Sequence, residues 1–360
     1  MSVLARLGVL ERVLSLGARI NRLVGDTTSG RRVLDVTYSD LGHGLFGLGV
    51  HRGMLFQTLQ SEVERSGVEV RTSVEAAEVQ PGWDEARDIA RHVVDASGTR
   101  HGPFDLVVIA DGARSRLRDS GPHLTRHNGY AWGAMWFVGE MRDGPADALW
   151  QVYRSTTGMV GFLPSGRRDE HSAPTVSMFL SVRMQGMENA DHIRSAGLSA
   201  FKDRVRTLTT AADRLLDQIA DMHQVITASY LDVRMRQTHR GNIVALGDAA
   251  HASSPQLGQG ANMALLDAAS LADRLASQPS IGAALEVHDS SRSASVRFYQ
   301  RASRWMTPLF QSDHTWLALP RDLCTAPLLR VPWVRRQSML TLAGVKTGIF
   351  SATAIPRVAP

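Results

Sequence analysis

At 360 residues and a formal net charge of +5, the chain is long enough for one large domain or two ordinary ones, and its apolar and charged fractions are those of a globular protein. Its basic residues are nearly all arginine, Lys202 and Lys346 being the only lysines, and no basic stripe with interleaved aromatics supports nucleic-acid binding. A single cysteine, Cys324, excludes an intramolecular disulfide and a cysteine metal site and fits a reducing, cytoplasmic compartment, and no apolar run approaches the roughly 20 residues of a membrane span.

In chain order, Val3, Leu7, Leu10 and Leu14 recur at helical spacing and predict a packed amphipathic helix ending near Gly17 or Gly25. Residues 32–38 alternate as a strand, a glycine-rich stretch follows over 42–53, and 53–66 reads as a helix. Strands are expected at 68–71, 76–80, 92–96 and 105–110, with a polar hairpin tip over 80–91. The last of these strands is nearly continuous apolar, as in a strand buried on both faces. From 129 to 183 long alternating strands take over (130–140, 148–154, 159–163, 175–183), which suggests a mainly antiparallel sheet inserted into an α/β framework. Helices are expected at 191–208 and 211–220, a returning strand at 225–235, and helix from 261 to about 318. Short helices broken by Pro327 and Pro332 should fill the tail.

Three glycine-bearing turns compete as ligand sites. Gly42-His43-Gly44-Leu45-Phe46-Gly47 matches G-x-G-x-x-G but is rejected: Leu48-Gly49-Val50 intervenes before any helix, and no acidic residue follows at the expected distance. Residues 105–118 end a buried strand at Asp111-Gly112. There Arg114 or Arg118 could meet a phosphate, or the segment could be an ordinary turn with Ser115 as a helix cap. The stretch from Gly247 to Ala268 is the most specific. Asp248 follows a buried strand at the end where α/β ligands bind, and Pro255 stiffens the turn. Gly258 and Gly260 clear the way for a flat ligand, and the helix from Ala261 aims its free amides at it. Asn262 reads as a contact or a cap, Asp267 as a contact or a buried structural partner, and His251 as a structural histidine rather than an acid–base group.

Taken together, Asp111-Gly112-x-x-Ser115-x-x-Arg118 and Gly247-Asp248-Ala-Ala-His-x-x-x-Pro255-x-x-Gly258-Gln259-Gly260-Ala261-Asn262 resemble the FAD-dependent aromatic hydroxylases of the para-hydroxybenzoate hydroxylase fold. The stretch Val50-His-Arg52-Gly-Met-Leu55 is similar to that family's FAD-contacting helix start, and the likeness covers almost the whole chain. Family members begin with a strand, a G-x-G-x-x-G turn and a helix. This sequence opens at a helix the family places after that unit, so the resemblance implies that roughly 40 residues, with the adenosine and pyrophosphate contacts, are absent.

The implied fold is α/β (α+β): an incomplete Rossmann-like FAD-binding domain over 1–128 and 237–300, a substrate-binding sheet over 129–236, and a helical region over 301–360. The implied reaction uses NAD(P)H and O2 to hydroxylate an electron-rich ring through a flavin C4a-hydroperoxide, the cofactor carrying the chemistry. Carried onto this sequence, Asp248 would hold a ribityl hydroxyl, and the 258–262 amides would face the pyrimidine edge. Pro255 would lie beside the oxygen-reacting edge, Arg52 would reach the ribityl or pyrophosphate region, and Asp111, Gly112 and Arg118 would support the dinucleotide side. Tyr130, Trp132, Trp136, Trp150, Tyr153, Phe162 and Met178 are the candidates for an aromatic-lined substrate pocket, each weighed against a place in the core. No residue is assigned as catalytic base, and no metal site is expected. The alternatives are a flavin reductase or halogenase on the same scaffold, or a remnant with weak or no FAD binding. The arginine-bearing apolar tail reads as a packed helical cap in preference to a peripheral membrane contact. Substrate identity, NADH against NADPH, and oligomeric state stay open.

Overall fold

A computed structural model describes residues 1–81, 91–120, 124–140, 147–186 and 189–355. The amphipathic start folds as two short helices, α1 (Ser2–Arg6) and α2 (Leu10–Leu16), parted at Gly8, whose φ of 72° leaves the helical region. Gly17 ends the second, so the helical period stops at the first of the two glycines. Beyond it come strands β1 (Ala18–Ile20), β2 (Arg22–Thr27), β3 (Arg32–Thr37) and β4 (Gly47–Gly49). No helix opens at Gly47; α3 (Arg52–Arg65) starts only after β4, as the rejection of the early glycine motif requires. Gly49 is needed because a Cβ there would collide with the carbonyl oxygen of Pro164, and this close approach seats the start of α3 against the large sheet.

β5 (Ala76–Pro81), β6 (Arg91–Asp95) and β7 (Arg100–Phe104) form a small antiparallel sheet. Most of the expected hairpin tip, residues 82–90, lies outside the described residues. The strand expected at 68–71 is not formed: among the described residues it has no partner strand, and Val68 and Val70 are exposed. Alternation alone does not make a strand without pairing.

β8 (Val107–Ile109) precedes the inserted sheet, whose long strands are β9 (Leu124–Glu140), β10 (Ala148–Arg154), β11 (Gly158–Gly166) and β12 (Thr175–Arg183). Helices α4 (Ala190–Arg206) and α5 (Asp213–Leu216) follow, the second shorter than the pattern over 211–220 suggests because its first turn, Thr210–Ala212, is 3-10. With β13 (Ile226–Met235) the sheet runs β13-β9-β12-β11-β10-β2-β3, antiparallel throughout except where β10 meets β2. One face buries Met135, Phe137, Phe162, Met178 and Leu180 against Phe201, Val205 and Leu215 of α4 and α5. The expectation of an inserted antiparallel sheet therefore holds, and β2 and β3, near the chain start, extend it.

β14 (His239–Arg240), β15 (Ile243–Ala245) and β8 make a three-stranded sheet, β15 parallel to β8. The chain then runs through α6 (Asp248–His251), α7 (Gly260–Ser277) and the long α8 (Ile281–Phe310) to α9 (Ala318–Leu329) and α10 (Pro332–Leu342). Pro332 sits at the first turn of α10, where its missing N–H costs nothing, whereas Pro327 is accommodated inside α9. Among the described residues no helix is long and apolar enough to cross a membrane.

Candidate active site

The site grows from the parallel pair β8 and β15. Val108 registers with Val244 and Ile109 with Ala245, and the Leu246 amide donates to the Ile109 carbonyl at 2.9 Å. Both strands therefore end at one edge, delivering Asp111-Gly112 and Gly247-Asp248 side by side, where ligands of α/β sheets collect. Gly247 adopts φ 57°, ψ −138°, a positive-φ conformation that favours glycine, with Ala264 packed 3.0 Å from where a Cβ would stand. Asp248 opens α6, is exposed, and its carboxylate has no hydrogen-bond partner among the described residues.

Across from it, Gly258 (φ 63°) faces open space, and a Cβ on Gly260, the first residue of α7, would lie 3.8 Å from the Asp248 Oδ1. The opening turn of α7 carries no side-chain cap, so its amides and the positive end of its dipole meet the Asp248 carboxylate across a glycine-lined gap. Pro255 begins a 3-10 turn, and Ser254 before it is pinned to α8 through Thr307 Oγ1 at 2.7 Å. Gln259 donates to the Leu342 carbonyl (2.8 Å) and accepts from Asn262 Nδ2 (2.9 Å), so these two side chains latch the turn to the C-terminal segment. Ala261 lies within the uncapped turn between them.

Behind the turn, Asp267 is buried at 3% exposure. It accepts from the Gly247 amide (3.2 Å) and Arg292 Nε (2.8 Å), and its Oδ2 lies 2.5 Å from His251 Nε2. Burial alone would raise its pKa; the His251 hydrogen bond and the Arg292 charge outweigh it and hold the carboxyl below its ordinary range. Asp267 and His251 are thus the structural partners that one reading of the sequence gave them. Arg118 is likewise buried. It donates to the Ala249 carbonyl (2.6 Å) and the Ala113 carbonyl (2.7 Å), tying the Asp111 loop to the back of the Gly247 turn. Its guanidinium therefore braces two loops from behind and is not free for a phosphate.

Arg52, the first residue of α3, is exposed with no ion pair among the described residues, and its helix is brought close because Met54 shares a core cluster with Leu265 of α7. His51, just before it, was not singled out by sequence reasoning. Its Nδ1 is buried with no hydrogen-bond partner among the described residues, and burial together with nearby Arg168 lowers its pKa. The only sequence signal was its place in the Val50-His51-Arg52 stretch.

The seven aromatic and apolar candidates divide between the two faces of the large sheet. Trp150, Phe162 and Met178 point into the core against α4 and α5, Trp150 stacking on Phe162 at 5.3 Å. Tyr153 is fully buried between Phe310 and Arg321, and burial pushes its phenol far up. Trp132 is buried beneath Arg183. Trp136 lies on the face away from α4, half-buried, stacked at 5.4 Å on Phe179, which the sequence reading passed over for its neighbour Met178. This is the face that α8 caps: Gln311, at its end, donates to Ser181 Oγ (2.9 Å), and Ser181 shares a face with Phe179. Tyr130 approaches the same turn, its phenol raised by burial and by Asp232.

The residues fit the flavin end of FAD: an unpartnered carboxylate, an uncapped helix start and a glycine-lined opening converge, with an exposed arginine and an orphaned histidine nitrogen at the neighbouring helix start.

Comparison with known proteins identifies the family of the chain. A protein family described as an FAD binding domain matches residues 1–305. The chain is 28% identical over 301 residues to 6-hydroxynicotinate 3-monooxygenase of Pseudomonas fluorescens, covering 79% of this chain and 70% of that one. It is 27% identical to 2-heptyl-3-hydroxy-4(1H)-quinolone synthase of Pseudomonas aeruginosa, covering 85% of this chain and 76% of that one. Among solved structures, Klebsiella pneumoniae HpxO, complexed with FAD and uric acid, superposes with a TM-score of 0.72 at 18% identity over 94% of this chain and 85% of its own. P. aeruginosa PqsL, in complex with 2-aminobenzoylacetate, gives 0.70 at 19% identity over 88% and 85%.

Proposed function

The chain belongs to the FAD-binding-domain family of flavin-dependent monooxygenases that act on aromatic substrates, and from that premise we propose that the turn over residues 247–262 is its flavin seat. The observation that carries the assignment is the free Asp248 carboxylate facing the uncapped start of α7 across Gly258 and Gly260. Asp248 holds a ribityl hydroxyl. The amides opening α7 meet the pyrimidine edge and favour negative charge there. Pro255 walls the ring, Arg52 reaches toward the phosphate side, and Asp111-Gly112 borders the same edge. When bound, FAD supplies hydride uptake from NAD(P)H and activation of O2. The chain's own contribution is to fix the turn that would hold that group, braced from behind by Asp267 and Arg118 and tied to the C-terminal segment by the Gln259–Leu342 hydrogen bond.

The substrate we propose is a small, flat, hydroxyl-bearing aromatic or heteroaromatic ring lying against Trp136 and Phe179. Two related enzymes carry flat heteroaromatic rings in their names, one acting on a hydroxynicotinate and the other producing a hydroxyquinolone. A reducing, cytoplasmic setting suits NAD(P)H supply and the single free thiol, Cys324.

The test is a panel of hydroxylated aromatic compounds incubated with protein, FAD and NADPH or NADH under 18O2. The expected result is oxidation of the reduced nucleotide stimulated by at least one compound, whose product gains one 18O atom. A protein that takes up no flavin colour, or products carrying oxygen only from water, would overturn the proposal.

A further inference from the structure

On the reverse side of the flavin turn lies a groove of about 770 Å³ between α8 and residues 234–239. Ala250, His251 and Asp267 belong to its lining, whereas Asp248, Gly258 and Gly260 do not, so it is separate from the flavin seat. Its charge is unbalanced. Arg292 is spent on Asp267, and Arg304 on Asp232 through two bonds of 2.8 and 3.0 Å, with Arg234 paired to the same Asp232 at 3.8 Å. Asp289 is occupied by the amide and hydroxyl of Thr238. What remains is Arg236, Arg297 and Arg301, exposed and with no carboxylate in ion-pair distance among the described residues, against one unspent acid, Glu286.

Arg297 and Arg301 are four residues apart on α8, so they stand one above the other on the same face, and like charges in that relation destabilise a helix. Arg297 folds back onto Ser293, whereas Arg236 and Arg301 make no such bond among the described residues. Their guanidinium forks suit phosphate oxygens, and the groove is in the size range of small-molecule sites.

We propose that this groove binds a small phosphate-bearing anion, its phosphate held by Arg236 and Arg301. Two sources share that chemistry: free inorganic phosphates, and the 2′-phosphate of NADPH. The second rests on the proposed reaction; the site itself does not.

Calorimetric titration of the purified protein with inorganic pyrophosphate and with 2′,5′-ADP at low salt tests it without flavin or turnover, so failure of flavin binding would leave the result readable. Saturable binding is expected, weakening with salt because the arginines are exposed. Equal binding of both probes assigns the groove to free phosphates; binding of 2′,5′-ADP alone assigns it to the nucleotide. The double variant Arg236→Gln, Arg301→Gln should bind about tenfold more weakly, with its melting temperature unchanged because both side chains are exposed. Glu286→Gln, which removes the one opposing charge, should bind more tightly. No saturable binding of either probe, or affinities unaltered in these variants, would overturn the proposal.

Discussion

Asp267→Asn lowers the stability of the folded protein by about 3–5 kcal/mol, the range for removing one partner of a buried ion pair. The carboxylate joins three groups: the Gly247 amide, His251 and Arg292. Asparagine keeps one acceptor but leaves the largely buried Arg292 guanidinium without its counter-charge, and that uncompensated cation dominates the loss. Urea unfolding followed by far-UV circular dichroism reads the effect, and a loss below about 1 kcal/mol would class the pair with surface ion pairs. The pH dependence has a definite sign. Because the folded pKa of Asp267 lies below its unfolded value of about 4, its contribution is fully present above that pH and is lost as pH falls through the folded pKa. The acid limb of the stability profile should therefore be shallower in Asp267→Asn than in the parent.

Asp248→Ala is expected to weaken FAD binding by about tenfold to a hundredfold, the loss of a hydrogen bond to a charged acceptor being worth roughly 1.5–3 kcal/mol. Stability should hardly change, because Asp248 is exposed and without a partner among the described residues. That contrast separates the two aspartates, nineteen positions apart, one facing the ligand gap and the other fixing the turn from behind. Equilibrium titration followed by flavin fluorescence measures the affinity, and a melting curve measures the stability. Unchanged affinity would contradict the ribityl role, and a large fall in melting temperature would mean that Asp248 is structural.

The strand–turn–helix over 243–277 was legible in the sequence because its chemistry is local: an apolar run, a positive-φ glycine, a proline and an uncapped helix start lie within a few turns of one another. The bracing was not, since Arg118 and Ala249 are 131 positions apart and only the parallel pairing of β8 with β15 brings them together. Aromatic candidates were found, but not their direction. Alternation shows that Met178 and Phe179 face opposite ways, while which face meets α4 depends on where the helices dock. β2 escaped notice for a similar reason: it pairs in parallel with β10, more than a hundred positions away, and nothing near residue 22 announces that partner.

The central claim is that the turn over residues 247–262, with Arg52 beside it, holds the flavin. The most direct test is a crystal structure of the protein with FAD. It should show a ribityl hydroxyl on the Asp248 carboxylate and the flavin ring over Gly258 and Gly260. A flavin ring seated anywhere else, with Asp248 still turned to solvent, would contradict it.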